Sequence, residues 1–154
     1  MGLLQVFLAS DHAGFKLKEF IKTVLKEKGF EVVDFGTKDE QPCDYPDFVI
    51  PASEAVAKSN GGAMGVVFGG TGIGEAIASN KVRGIRCAFA YDSFTAKMTR
   101  EHNDSNVLAL GGRTVTSNAE LAKEIVLTWL STPFSNDERH VRRIKKISDY
   151  ESKS

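Results

Sequence analysis

One pattern constrains this chain more than any other: five times over, a short apolar run is followed by a turn and then by a segment of helical character. Gln5 to Ala9 precedes Leu17, Phe20, Ile21, Val24 and Leu25, which recur at helical spacing and stop at Gly29. Residues 31–35 precede a turn-rich stretch and a helix from about Asp47 to Lys58. Met64 to Phe68 runs into glycines and a short helix to about Asn80, and Arg86 to Ala90 leads to a helix from Ser93 to about Glu101. Val107 to Leu110 comes before a helix that Asn118 can cap and that reaches Leu130; Asp137 can then open a basic helix through Ile147, leaving 148–154 as a frayed tail. Parallel neighbours need crossover connections, and right-handed crossovers lay helices over both faces of a sheet. The expected fold is α/β, a three-layer α/β/α sandwich on a five-stranded parallel sheet.

Its 154 residues, 42% of them hydrophobic, fill one core, so 1–150 is expected to be a single domain and 151–154 a short tail. Twenty Lys and Arg balance twenty Asp and Glu, which removes the overall positive field of a non-specific nucleic-acid or anionic-membrane binder. Any charged ligand must be met locally. Two cysteines, Cys43 and Cys87, make no disulfide framework, and no CxxC or His/Cys cluster suggests a metal site, so a reducing cytoplasm is expected. The first ten residues lack a basic leader segment, Val6 stands where a myristoylation motif needs Ser or Thr, and no apolar run approaches a membrane span.

In such a Rossmann-like sheet, ligands bind at the carboxyl ends of the strands. Polar residues gather there from five loops: Asp11 and His12, Asp44 to Asp47 with Tyr45, Thr71 and Glu75 around the glycines, Asp92, and Gly111-Gly112-Arg113. Polar βα loops and helix caps account for any one of these, but poorly for a His, a Tyr, an Arg and a Glu together. The glycine loop departs from both phosphate-binding templates. Gly70 and Gly72 fit GxGxxG, but Glu75 stands at its third glycine; Gly69 and Gly74 fit the P-loop spacing, but Glu75 replaces the Lys. A carboxylate there would repel a triphosphate. Backbone N–H groups beside a carboxylate suit a base next to an oxyanion hole, although a first-turn Glu can equally serve the helix dipole.

Arg139 and Arg143, four residues apart on the last helix, could hold a phosphate between them or form a solvated basic face. His102 and Asn103 end the fourth helix, which returns antiparallel to the strands. They therefore belong at the opposite edge, either as helix-terminating residues or as part of a neighbouring subunit's site.

Taken in order, Ser10-Asp11-His12-Ala13-Gly14, Asp44-Tyr45-Pro46-Asp47, Gly70-Thr71-Gly72-Ile73-Gly74, Asn80-Lys81, Arg100 to Asp104, Leu110 to Arg113 and Arg139 to Arg143 resemble the type B ribose-5-phosphate isomerases, relatives of the galactose-6-phosphate isomerase subunits. The resemblance implies a cofactor-free aldose–ketose isomerase, an intramolecular oxidoreductase of the pentose phosphate pathway, acting as a homodimer or dimer of dimers with sites between subunits. It implies that Asp11 and His12 contact the sugar and its phosphate side, that His102 assists ring opening, and that Asn103 holds hydroxyls. Arg113, Arg139 and Arg143 would clamp the phosphate, with Tyr45 and His140 also in the pocket. Gly70, Thr71, Gly72, Ile73 and Gly74 would cradle the enediolate, Thr71 near the migrating proton. Many members carry a Cys base immediately before the GTG segment. This chain has Gly69 there and resembles the branch in which a Glu, here Glu75, takes that role. A helix N-terminus should lower the pKa of that carboxylate and burial should raise it. Ribose 5-phosphate and ribulose 5-phosphate are the expected pair; a six-carbon 6-phosphate sugar (allose or galactose) and a non-catalytic sugar-phosphate-binding module are the alternatives.

Overall fold

A computed structural model describes residues 4–153; Met1 to Leu3, the start of the segment read for leader signals, and Ser154 of the expected tail lie outside the described residues. The strands are β1 (Gln5–Ser10), β2 (Glu31–Asp34), β3 (Ala63–Gly69), β4 (Cys87–Phe89) and β5 (Val107–Gly111). The helices are α1 (Phe15–Glu27), α2 (Pro46–Lys58), α3 (Ile73–Asn80), α4 (Ser93–Asn103), α5 (Ala119–Ser131) and α6 (Glu138–Glu151), with a 3-10 turn at Val115–Ser117. All four strand pairings are parallel, in the order β2-β1-β3-β5-β4.

Alternation along each strand sorts the core into two layers. Val6 and Leu8 face Leu17, Ile21 and Leu25 of α1 and Ile125 and Trp129 of α5, whereas Phe7 and Ala9 face Val49, Ala52 and Val56 of α2. The expected α/β/α sandwich is therefore formed. Trp129, fully buried, donates from Nε1 to Ser105 Oγ at 2.8 Å and so ties α5 to the segment entering β5.

Local chemistry sets the element ends. Gly29, at φ +89°, turns the chain out of α1. Pro46 opens α2, where a missing N–H costs nothing. Asp92 and Thr95 form a reciprocal capping box at α4, and Asn118 accepts the Leu121 N–H at 3.1 Å at the start of α5.

The last segment departs from expectation. Instead of fraying after Ile147, α6 continues to Glu151, supported by a Lys145–Asp149 pair at 2.7 Å and by Glu151 Oε2, which accepts the Gly84 N–H at 3.1 Å. Asp137 sits at the cap position, but its carboxylate makes no cap bond; its N–H donates to Ser135 Oγ at 3.2 Å. Strand β4 is shorter than the expected 86–90, as befits an edge strand.

Candidate active site

The strand order places a topological switch between β1 and β3, since the chain leaves β1 toward β2 on one side and reaches β3 on the other. The loops after these two strands open a crevice at the carboxyl edge. After β1, Asp11 Oδ1 accepts the Gly14 N–H at 3.0 Å and turns the chain into α1. Gly14 is required there, because a Cβ would strike the Phe68 carbonyl at the end of β3. His12 Nδ1 accepts the backbone N–H of Cys43 at 3.2 Å.

After β3, Gly72 takes φ +84° and caps α3, a left-handed turn that other residues adopt only with strain. Thr71 Oγ1 accepts the Ile73 N–H at 3.2 Å. The loop after β5 is bonded onto this one: Gly112 N–H donates to Gly69 O at 2.7 Å and Arg113 N–H to Gly70 O at 2.8 Å. The Arg113 side chain passes beside Gly70, and the Tyr45 ring lies against Gly74. His12, Lys16, Glu40, Arg113 and Ser117 share a cleft of about 440 Å³.

Glu75 is 3% exposed, and its carboxylate fills the volume that a side chain on residue 69 would occupy; a Cβ built on Gly69 would fall inside it. Its oxygens accept the N–H groups of Gly72 and of Glu75 itself, so the carboxylate also caps its own helix. The opposition left open by the sequence is resolved in favour of burial. Desolvation, with a smaller contribution from the negative charge of Asp11, pushes the Glu75 pKa above the ordinary carboxylate value despite those amides.

A second cluster forms at the amino edge. The His102 and His140 rings lie with centroids 4.4 Å apart, tilted by 40°, and Ser135 Oγ lies 2.9 Å from His140 Nδ1. Burial, His102, Arg139 and Arg143 lower the His140 pKa, only partly opposed by Asp137, so its ring stays neutral at pH 7. Asn103 lines a larger cavity, about 620 Å³, with Asn80, Lys81, Arg86 and Ile144. In one chain, then, the residues from Asp11 to Glu75 and Arg113 converge at the carboxyl edge, while His102, Asn103, Arg139, His140 and Arg143 gather at the other. The expected phosphate clamp is divided between the two, Arg113 in one and Arg139 and Arg143 in the other.

The chain as a whole has known counterparts. A family model described as ribose/galactose isomerase matches residues 6–147. The chain belongs to the ribose/galactose isomerase family. It is 42% identical to ribose-5-phosphate isomerase B of Mycobacterium tuberculosis over 98% of its own length and 92% of that protein. The solved ribose-5-phosphate isomerase B of Clostridium thermocellum superposes with a TM-score of 0.92 at 46% identity, covering 97% of this chain and 99% of the other. The Mycoplasma genitalium ribose-5-phosphate isomerase B, solved with bound ribulose 5-phosphate, gives 0.93 at 38% identity and 98% coverage of both chains. Membership makes this isomerase a sugar-phosphate aldose–ketose enzyme, an intramolecular oxidoreductase.

The sequence reading missed the Cys43 amide on His12, because nothing in the residue types marks a backbone donor 31 positions away. Cys87 carries an inert thiol. Burial, and secondarily the Glu75 charge, push that thiol up to about 12, so it stays protonated. Cys43 touches His12 of the cleft through its main-chain N–H. A Cys43→Ser, Cys87→Ala double variant is therefore expected to keep kcat within about threefold of wild type, since no general base is lost. Steady-state kinetics of the folded variant checks this; loss of turnover with binding retained would assign the chemistry to a thiol.

Proposed function

We propose that this protein interconverts ribose 5-phosphate and ribulose 5-phosphate through an enediolate, with Glu75 as the base. The observation carrying this reading is the buried Glu75 carboxylate, raised in pKa and set beside the glycine-loop amides. Glu75 takes the C2 proton, the electron pair moves into C1–C2 as the aldehyde oxygen becomes an enediolate oxygen, and the loop Gly70 to Gly74 donates N–H groups to that oxygen. The O2 hydroxyl proton passes to O1, and protonated Glu75 returns its proton to C1 as C2–O2 becomes the carbonyl, giving the ketose. Atoms and charge balance without a metal or redox group.

Asp11 and Tyr45 border the reacting end, and His12 and Arg113 form the phosphate side of the cleft. His102, Asn103, Arg139, His140 and Arg143 complete the site from a second copy, with His102 assisting ring opening. A surface for that copy adjoins the base: Ile73 and Ile77 of α3 and Phe89 of β4 are 55%, 57% and 40% exposed around a depression of about 530 Å³. A homodimer, or a dimer of dimers, follows from this reading. A cytoplasmic role in the pentose phosphate pathway suits it, as do the two free cysteines. Among the described residues no helix is long and apolar enough to cross a membrane.

Incubation with ribose 5-phosphate in deuterated water tests the reading. The expected result is solvent deuterium in the sugar together with ketose formation, and kcat/KM for the five-carbon substrate above that for allose or galactose 6-phosphate by roughly 10- to 200-fold, the worth of one methylene-sized difference in a pocket. Binding without exchange would leave a sugar-phosphate-binding module, and a reversed preference would assign the six-carbon substrate.

A further inference from the structure

Lys18, in the first turns of α1, has a wholly buried side chain. Its Nζ donates to Asp34 Oδ1 and Oδ2 at 2.8 and 2.6 Å, to Thr37 O at 3.0 Å and to Glu19 Oε1 at 3.3 Å. A buried ammonium is expensive to desolvate and is tolerated only with such partners. Two of these partners, Asp34 and Thr37, lie where the chain leaves β2. Asp34 Oδ1 also accepts the Gly36 N–H at 2.8 Å, and Oδ2 pairs with Lys22 at 2.8 Å. Residues 36 and 37 are in turn bonded to the end of β1: Ser10 N–H donates to Gly36 O at 2.7 Å, and Thr37 N–H to Ser10 O at 2.8 Å. The Lys18 cluster thus fastens one end of the segment 34–44 beside Asp11 and His12. The other end carries the Cys43 amide that His12 Nδ1 accepts.

A neutral imidazole that accepts at Nδ1 must carry its proton on Nε2. We propose that Lys18 is a positioning residue for the phosphate end of the site: by anchoring segment 34–44 it lets the Cys43 amide hold His12 as the Nε2–H tautomer, which offers a donor to a phosphate oxygen. A phosphate oxygen without a proton can only accept, so the opposite tautomer would face it with a lone pair. This inference rests on the proposed place of His12 at the phosphate side. The loss it foresees is one of substrate binding, seen in KM more than in kcat.

Long-range 1H–15N correlation spectra of the substrate-free protein read the tautomer directly, and with three histidines in the chain the His12 signals are assigned by their absence in His12→Asn. Wild type should show the Nε2–H form. Lys18→Met should show a mixture of tautomers and a KM for ribose 5-phosphate raised about tenfold, with kcat within about threefold. Should that variant fail to fold, Cys43→Pro removes the amide donor and should give the same two changes, while Cys43→Ala, which keeps the amide and removes the thiol, should give neither. An Nδ1–H His12 in wild type overturns the proposal, as does an unchanged tautomer and KM in Lys18→Met or, where that does not fold, in Cys43→Pro. A wild-type protein with no isomerase activity would count against the proposed function instead, while the substrate-free spectra would still decide the tautomer.

Discussion

Glu75→Gln should slow exchange of the C2 proton with solvent by about 10² to 10⁴, the usual worth of a positioned general base. The amide keeps the shape of the side chain, and His12 and Arg113, the proposed phosphate-binding residues of this chain, are untouched, so affinity for sugar phosphate should persist. Titration supplies an independent sign. The base must be ionised to act, and burial with the Asp11 charge raises the Glu75 pKa, so activity in wild type should fall, as pH is lowered, at a higher pH than an ordinary carboxylate would dictate. The same shift bears on stability. The fold favours the protonated form, so the stabilising contribution is present below the unfolded-chain value of 4.5 and is lost as pH rises through the higher folded value. Glu75→Gln is uncharged at every pH and should therefore melt higher than wild type at pH 7. Slower exchange combined with a higher Tm cannot come from misfolding; exchange near the wild-type rate would remove Glu75 from the mechanism.

The geometry at residue 69 explains why the proposed base, Glu75, sits where it does. A Cys at residue 69 would put its side chain into the space the Glu75 carboxylate fills here. One volume holds one base. Gly69 is thus the steric condition for Glu75 to fold back over the loop, a relation visible only once the α3 N-terminus is placed against the end of β3.

Elements with strong periodicity were legible from the chain alone. The apolar run from Gln5 to Ala9 and the helical spacing from Leu17 to Leu25 mark a strand and a helix, and both form as expected. The strand order was not legible, because the connections dictate parallel strands and crossover hand but not whether β4 or β5 sits beside β3. The last turn of α6 was lost for a related reason. Ser148, Asp149 and Tyr150 carry no apolar period, and what holds the end is Glu151 on Gly84, a contact 67 residues apart. Within the site, residue types marked Asp11, His12, Tyr45, Glu75 and Arg113, whereas the Cys43 amide and the Lys18 ammonium act through tertiary contacts to residues far away in sequence.

Mixing two inactive proteins should restore activity, and the topology says why. Helix α4 runs from the carboxyl edge back to the amino edge, so His102 and Asn103 end beside the start of β5, where Asn106 N–H meets Arg86 O at 3.1 Å. Glu75 opens α3 at the other edge. If one site draws Glu75 from one copy and His102 from another, Glu75→Gln and His102→Ala are each inactive as homodimers. A mixed dimer then has one doubly damaged site and one intact site, built from the Glu75 of the His102→Ala chain and the His102 of the Glu75→Gln chain. With free exchange of equal amounts, half the dimers are mixed and each carries one working site of two, so activity on the order of a quarter of wild type should return, set by two-fold symmetry rather than by any rate constant. Native mass spectrometry of the mixture measures the exchange, and the isomerase assay follows on the same sample. Verified mixed dimers with activity no higher than the parents would place the whole site within one chain and return His102 and Asn103 to the role of residues that end α4.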